Sequence, residues 1–101
     1  MILDDIAEIE ARYDELGRMI ADPDVIARQQ DWQEYVKEHA HLEQIIETYR
    51  QCKATEHELE EAREMLGESE DDETRDWLRA EVEELEEQEE QLQLKLRQLL
   101  V

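Results

Sequence analysis

Asp72 to Leu100 reads DETRDWLRAEVEELEEQEEQLQLKLRQLL. Leu78, Val82, Leu85, Leu92, Leu96 and Leu99 recur in it in steps of four, three, seven, four and three. This is the spacing of a coiled-coil seam, with Glu89 in the one slot where an apolar residue is missing. Glu81, Glu83, Glu84, Glu86, Glu87 and Glu90 lie between the seam positions. A helix of this kind offers a single apolar stripe and cannot bury itself. Other helices must cover it, and the rest of the chain is read as that cover.

Working back to the start, Ile2, Ile6, Ile9, Tyr13, Leu16 and Ile20 step by four and three without a break, which predicts an amphipathic helix over about 2–21. Asp4 and Asp5 fall in its first turn, where the positive end of the helix dipole favours them. Gly17 interrupts the pattern and weakens the helix by roughly 1 kcal/mol relative to alanine. Asp22 is suited to cap a following helix and Pro23 to occupy its first position, so a short helical turn is expected near 23–28.

A longer helix is expected over about 31–66. Trp32, Tyr35, His39, Leu42, Ile46 and Tyr49 form its seam, continued more loosely by Cys52, Leu59, Ala62 and Leu66. Lys53 to Glu58 is polar all round, so the helix can bend or stand free of its neighbours there. Gly67 supplies a stop, and Ser69 or Asp72 can cap the final helix over about 72–100. Short connections between long helices place them antiparallel. The fold class is therefore all-α, an elongated antiparallel bundle of three main helices plus the short turn, in a single domain over 1–101.

Composition narrows the function. The 101 residues carry a net charge of −20, with 42% charged and 5% aromatic. From Glu56 to Gln91 there are eighteen acidic residues and three arginines. That sign disfavours nucleic-acid phosphate and anionic membranes, and favours basic protein partners. A single cysteine, Cys52, allows no intrachain disulfide and suits a reducing compartment. The N-terminus lacks the basic and apolar regions of a signal peptide, and no stretch is long and apolar enough to span a bilayer. Cytoplasmic location is expected.

No catalytic constellation emerges. His39 and His41 fall on different faces, and His57 is too far along to join them; a metal would need Cys and His at ligand spacing. His39 reads as a partly buried bundle residue and Cys52 as a small core residue. The acidic run Glu68 to Asp72 lacks the glycine and alternating oxygen ligands of a calcium loop. The glutamates of the last helix have no apolar surroundings to raise a pKa for acid–base work. Two glycines fifty residues apart make no phosphate loop. Trp32 and Trp77, each near a helix start, read as core. Neither enzyme activity nor a cofactor is expected.

The order of features adds to this. Ile9-Glu10-Ala11-Arg12-Tyr13-Asp14-Glu15-Leu16, then Ala21-Asp22-Pro23-Asp24-Val25-Ile26-Ala27, resembles the opening of the bacterial peptide chain release factors. The likeness continues through Glu34 to Glu43, Tyr49-Arg50, and Leu59 to Leu66, to the acidic connection and the closing Leu99-Leu100-Val101. Ile26-Ala27 and the leucine-rich end resemble the type that recognises UAA and UAG more than the type that recognises UAA and UGA. The family's Gly-Gly-Gln and its stop-codon-reading tripeptide lie beyond residue 101 and are absent, so no catalytic or codon-reading role transfers to any position.

The resemblance implies a non-catalytic N-terminal helical domain of a class I termination factor. Its implied partners are the ribosome, at the proteins of the large-subunit stalk base, the recycling GTPase release factor, and the remainder of the parent protein. The outer acidic face, Glu83, Glu84, Glu87 and Glu90, is the expected protein-contact face. The competing reading is a free-standing acidic coiled-coil scaffold, with two copies pairing through Leu78 to Leu99. Leu96, Leu99 and Leu100 also offer a homodimer contact for the isolated piece. A rescue or resistance paralogue of the same family would share this domain.

Overall fold

A computed structural model of the chain describes residues 2–101, with side chains described from Asp5 onward. The expected seam position Ile2 and first-turn Asp4 therefore have side chains outside the described residues. Among the described residues the fold is all-α: α1 (Ile2–Met19), α2 (Pro23–Ala27), α3 (Gln29–Glu68) and α4 (Asp72–Leu99). The chain divides into two compact units, Met1–Glu47 and Thr48–Val101.

In the first unit, α1 lies antiparallel to the first part of α3. Leu16 is fully buried and Ile6 nearly so, and burial of such a side chain contributes about 2 kcal/mol. Tyr13 stacks on His39 with ring centroids 4.2 Å apart and planes 14° from parallel. One step away, Arg12 grips Glu38 with two hydrogen bonds, Nε to Oε2 at 2.8 Å and Nη2 to Oε1 at 3.0 Å.

The end of α1 comes two residues earlier than its apolar spacing suggests. Ala21 N donates to Arg18 O and Asp22 N to Met19 O, so the last turn tightens to three-residue bonds before the chain leaves the helix. Asp22 then caps α2 as expected, its Oδ1 accepting from Asp24 N at 2.9 Å, with Pro23 opening the helix. Val25 is buried. Trp32 secures the return, its indole N–H donating to the Ile20 carbonyl at 3.0 Å.

In the second unit the later part of α3 runs antiparallel to α4. Leu59, Ala62 and Leu85 form a buried cluster with Val82 packed against it. Leu78 and Leu96 are also buried. Arg63 and Glu86 join the two helices at 3.4 Å.

Several local expectations are corrected by the structure. The polar stretch after Cys52 does not interrupt the helix and does not stand free of its neighbours: α3 is one helix of 40 residues, and Thr55 within that stretch is buried. Thr48 and Thr55 are buried, so the row of this unit is Thr48, Cys52, Thr55, Leu59, Ala62. Threonine presents a methyl group to a helix seam, and no buried side-chain polar atom among the described residues lacks a partner. Gly67 does not stop the helix. It lies inside α3, with no positive φ at any described glycine.

The end of α3 is instead held by Arg75, whose Nη1 donates to both the Leu66 and Ser69 carbonyls at 2.9 Å. This satisfies carbonyls that a helix end leaves without partners. The cap of α4 is Asp71, not Ser69 or Asp72. Its Oδ2 accepts from Thr74 N at 2.9 Å and from Thr74 Oγ1 at 2.8 Å. The hydroxyl three residues on gives Asp71 a second donor, and Asp72 falls already inside the first turn. Trp77, expected in the core, is 63% exposed.

Candidate interaction surfaces

The seam of α4 fixes where its glutamates point. Leu78, Leu85 and Leu96 are buried, while Val82, Glu89, Leu92 and Leu99 are half-buried along the same stripe. Counting from that stripe, Glu83, Glu84, Glu87 and Glu90 occupy the heptad positions on the opposite side of the helix. All four are exposed. Glu84 and Glu87 line an open depression with Gln88, Gln91 and Leu92. Among the described residues the ion pairs of α4 join Arg63 to Glu86 and Arg79 to Asp76, and neither uses these four. The periodicity thus brings the four carboxylates to one solvent-facing strip, separate from Glu86.

Glu89, the charge in the apolar slot, is accommodated at the seam's margin. It is half-buried, and its Oε1 accepts from Gln93 Nε2 at 3.1 Å. Burial pushes the Cys52 thiol up, and the negative charges of Glu89 and Glu56 push it further in the same direction. A thiol held protonated in this way is a poor nucleophile and a poor metal ligand.

The histidines are dispersed: His39 is half-buried against Tyr13, His41 is exposed, and His57 Nε2 lies 3.0 Å from Glu61 Oε1. Burial raises the Tyr13 hydroxyl pKa, with the charge of Glu43 adding to the effect. Among the described residues no group of three or more His, Cys, Asp and Glu is arranged to hold a metal. No described helix is long and apolar enough to cross a membrane.

A second surface escaped the periodicity. Between α3 and α4 of the second unit, an open groove is lined by Ala62, Met65, Trp77, Leu78 and Leu85, with Glu58, Glu61 and Glu81 among its walls. Met65 is 55% exposed. Met65 and Trp77 each stand one residue before a seam leucine, Leu66 and Leu78. That offset was the available signal, since it turns both side chains off the buried stripe.

The comparisons with known proteins agree with the resemblance. The PCRF domain matches residues 9–101. The chain is 43% identical over 100 residues to peptide chain release factor 1 of Carboxydothermus hydrogenoformans, covering 99% of this chain and 28% of that protein. It is 43% identical over 93 residues to peptide chain release factor 1 of Desulforudis audaxviator, covering 92% and 26%. With that of Clostridium botulinum it shares 47% identity over 77 residues, covering 76% and 22%. The chain spans about a quarter of the length of these curated relatives. No solved structure gives a significant match. With 93 of its residues matched in one continuous run, the chain belongs to the PCRF domain family.

Proposed function

We propose that the chain is the non-catalytic N-terminal helical domain of a class I translation termination factor. The parent directs stop-codon-dependent hydrolysis of peptidyl-tRNA at UAA and UAG, in the cytoplasm. The observation that carries this reading is the match of residues 9–101 to the PCRF domain, together with 43% identity to a peptide chain release factor 1 along 99% of the chain. The domain's task is positioning: it sets the factor at the proteins of the large-subunit stalk base and near the recycling GTPase. The acidic strip Glu83, Glu84, Glu87 and Glu90 serves that task by facing basic ribosomal protein surface, because opposite potentials steer docking and fix orientation.

Two experiments test the proposal. In the first, this chain replaces the corresponding segment of Carboxydothermus hydrogenoformans release factor 1. The chimera releases peptide at UAA and UAG and not at UGA, and the chain alone releases none. A folded chimera that fails to bind ribosomes refutes the assignment. In the second, Glu83, Glu84, Glu87 and Glu90 are changed to lysine in the chimera. Slower release or recycling at low salt is expected, and unchanged rates remove the acidic strip from the docking role while leaving the assignment intact.

A further inference from the structure

The groove of the second unit has the features of a docking site. Its floor is Ala62, Leu78 and Leu85, all buried, and its open sides are Met65 and Trp77, both more than half exposed. Among the described residues, the other large exposed apolar side chains, Ile26, Leu94 and Val101, do not line it. An apolar patch rimmed by polar residues is characteristic of an interaction site. Tryptophan is the side chain most enriched where binding energy concentrates, and methionine adapts to varied partners.

The rim selects the partner. Glu58, Glu61 and Glu81 carry the charge of the groove, and the nearby Arg79 is engaged by Asp76 at 3.0 Å. His57 leans on Glu61. Phosphate backbones, anionic lipid and acidic helices are repelled by such a rim, and a cationic partner is drawn in. A trough between two antiparallel helices accepts a third helix, whose apolar residues at i, i+3, i+4 and i+7 enter it. We propose that this groove binds a basic amphipathic helix of another protein. Its apolar face seats on Met65 and Trp77, and its lysines or arginines reach Glu58, Glu61 and Glu81. This surface is distinct from the strip Glu83 to Glu90 and stands on its own residues, whichever factor the chain belongs to.

The test is a calorimetric titration of the chain with designed helical peptides of about sixteen residues at physiological ionic strength. One carries leucine at i, i+3, i+4 and i+7 with lysine elsewhere. A second replaces the leucines by serine, and a third replaces the lysines by glutamate. The lysine–leucine peptide binds one to one, and the other two bind at least about tenfold more weakly. Met65→Ser and Trp77→Ser each weaken it about tenfold, as does the triple change of Glu58, Glu61 and Glu81 to glutamine.

Leu94→Ser, at an exposed apolar residue outside the groove, leaves binding unchanged. Met65 and Trp77 are exposed, so their variants keep the helical circular dichroism of the parent. Equal binding of the lysine–serine peptide overturns the proposal in favour of general attraction to a polyanion. Indifference to both Met65→Ser and Trp77→Ser overturns it outright. Sedimentation showing dimers of the chain that Trp77→Ser dissolves assigns the groove to a second copy instead.

Discussion

Arg12 and Glu38 meet edge to edge, two guanidinium nitrogens each bonded to a different carboxylate oxygen at 2.8 and 3.0 Å. The geometry matches a planar fork to a planar acceptor, which a lysine cannot reproduce. The hydrogen bond and charge of Arg12 hold the Glu38 carboxyl below its ordinary value of 4.5. Because the folded pKa is the lower one, the stabilisation is complete above the ordinary carboxylate range. It is lost as pH falls through the folded pKa. Glu38→Gln is therefore less stable than the parent at neutral pH, and the gap closes on acidification. Relief of repulsion among the other acidic residues affects both proteins alike, so the difference between their urea midpoints is the diagnostic quantity. A gap that persists in acid contradicts this account.

Gly17 sits within α1, and a Cβ added there meets His39 Nε2 at 3.7 Å, an ordinary contact. Gly67 sits within α3 with nothing near it. Neither needs a left-handed backbone. Gly17→Ala should stabilise the chain by about 0.5–1 kcal/mol through helix propensity, with Gly67→Ala giving less because it lies in a terminal turn. Urea denaturation gives both values. A loss of stability in Gly17→Ala would show that the Tyr13–His39 stack cannot tolerate a methyl group beside it.

Arg75 closes the connection between α3 and α4 by binding two carbonyls through one nitrogen. Arg75→Ala leaves them to water and should cost about 1–2 kcal/mol. Arg75→Lys recovers part of this. Hydrogen exchange localises the effect: the amides of the last turn of α3 and the first turn of α4 lose protection, and those around Leu16 do not.

Salt should stabilise this protein. Its ion pairs are largely exposed and worth little, whereas the eighteen acidic residues between Glu56 and Gln91 repel one another. Raising NaCl from about 10 mM to about 500 mM shortens the screening length severalfold and should raise Tm by roughly 5 °C. A fall in Tm would mean that the ion pairs outweigh the repulsion.

The long-range order of this fold was legible because it rests on repetition. Aliphatic and aromatic residues at three- and four-residue steps outline three main helices, and Asp22-Pro23 marks α2 by chemistry that few other dipeptides share. What was missed rests on single contacts. Thr48 and Thr55 look polar in a list of residues, yet both are buried in the seam. Asp71 wins the cap because Thr74 offers it two donors, and Gly67 loses its role because Arg75 reaches back to hold the helix end. The acidic strip followed directly from the seam, since residues opposite a buried stripe face solvent. The groove at Met65 and Trp77 did not, because large apolar residues near a seam are ordinarily counted with it.

The two indoles give the chain an optical asymmetry. Trp32 belongs to the first unit, half-buried with its N–H held by Ile20, while Trp77 belongs to the second and stands in water among Glu58, Glu61 and Glu81. The fluorescence of Trp77 is therefore open to collisional quenchers, but not equally to all of them. Neutral acrylamide reaches it freely, iodide is held off by the carboxylates, and caesium is concentrated by them. One chain thus carries a shielded emitter in one unit and a charge-sensing emitter in the other.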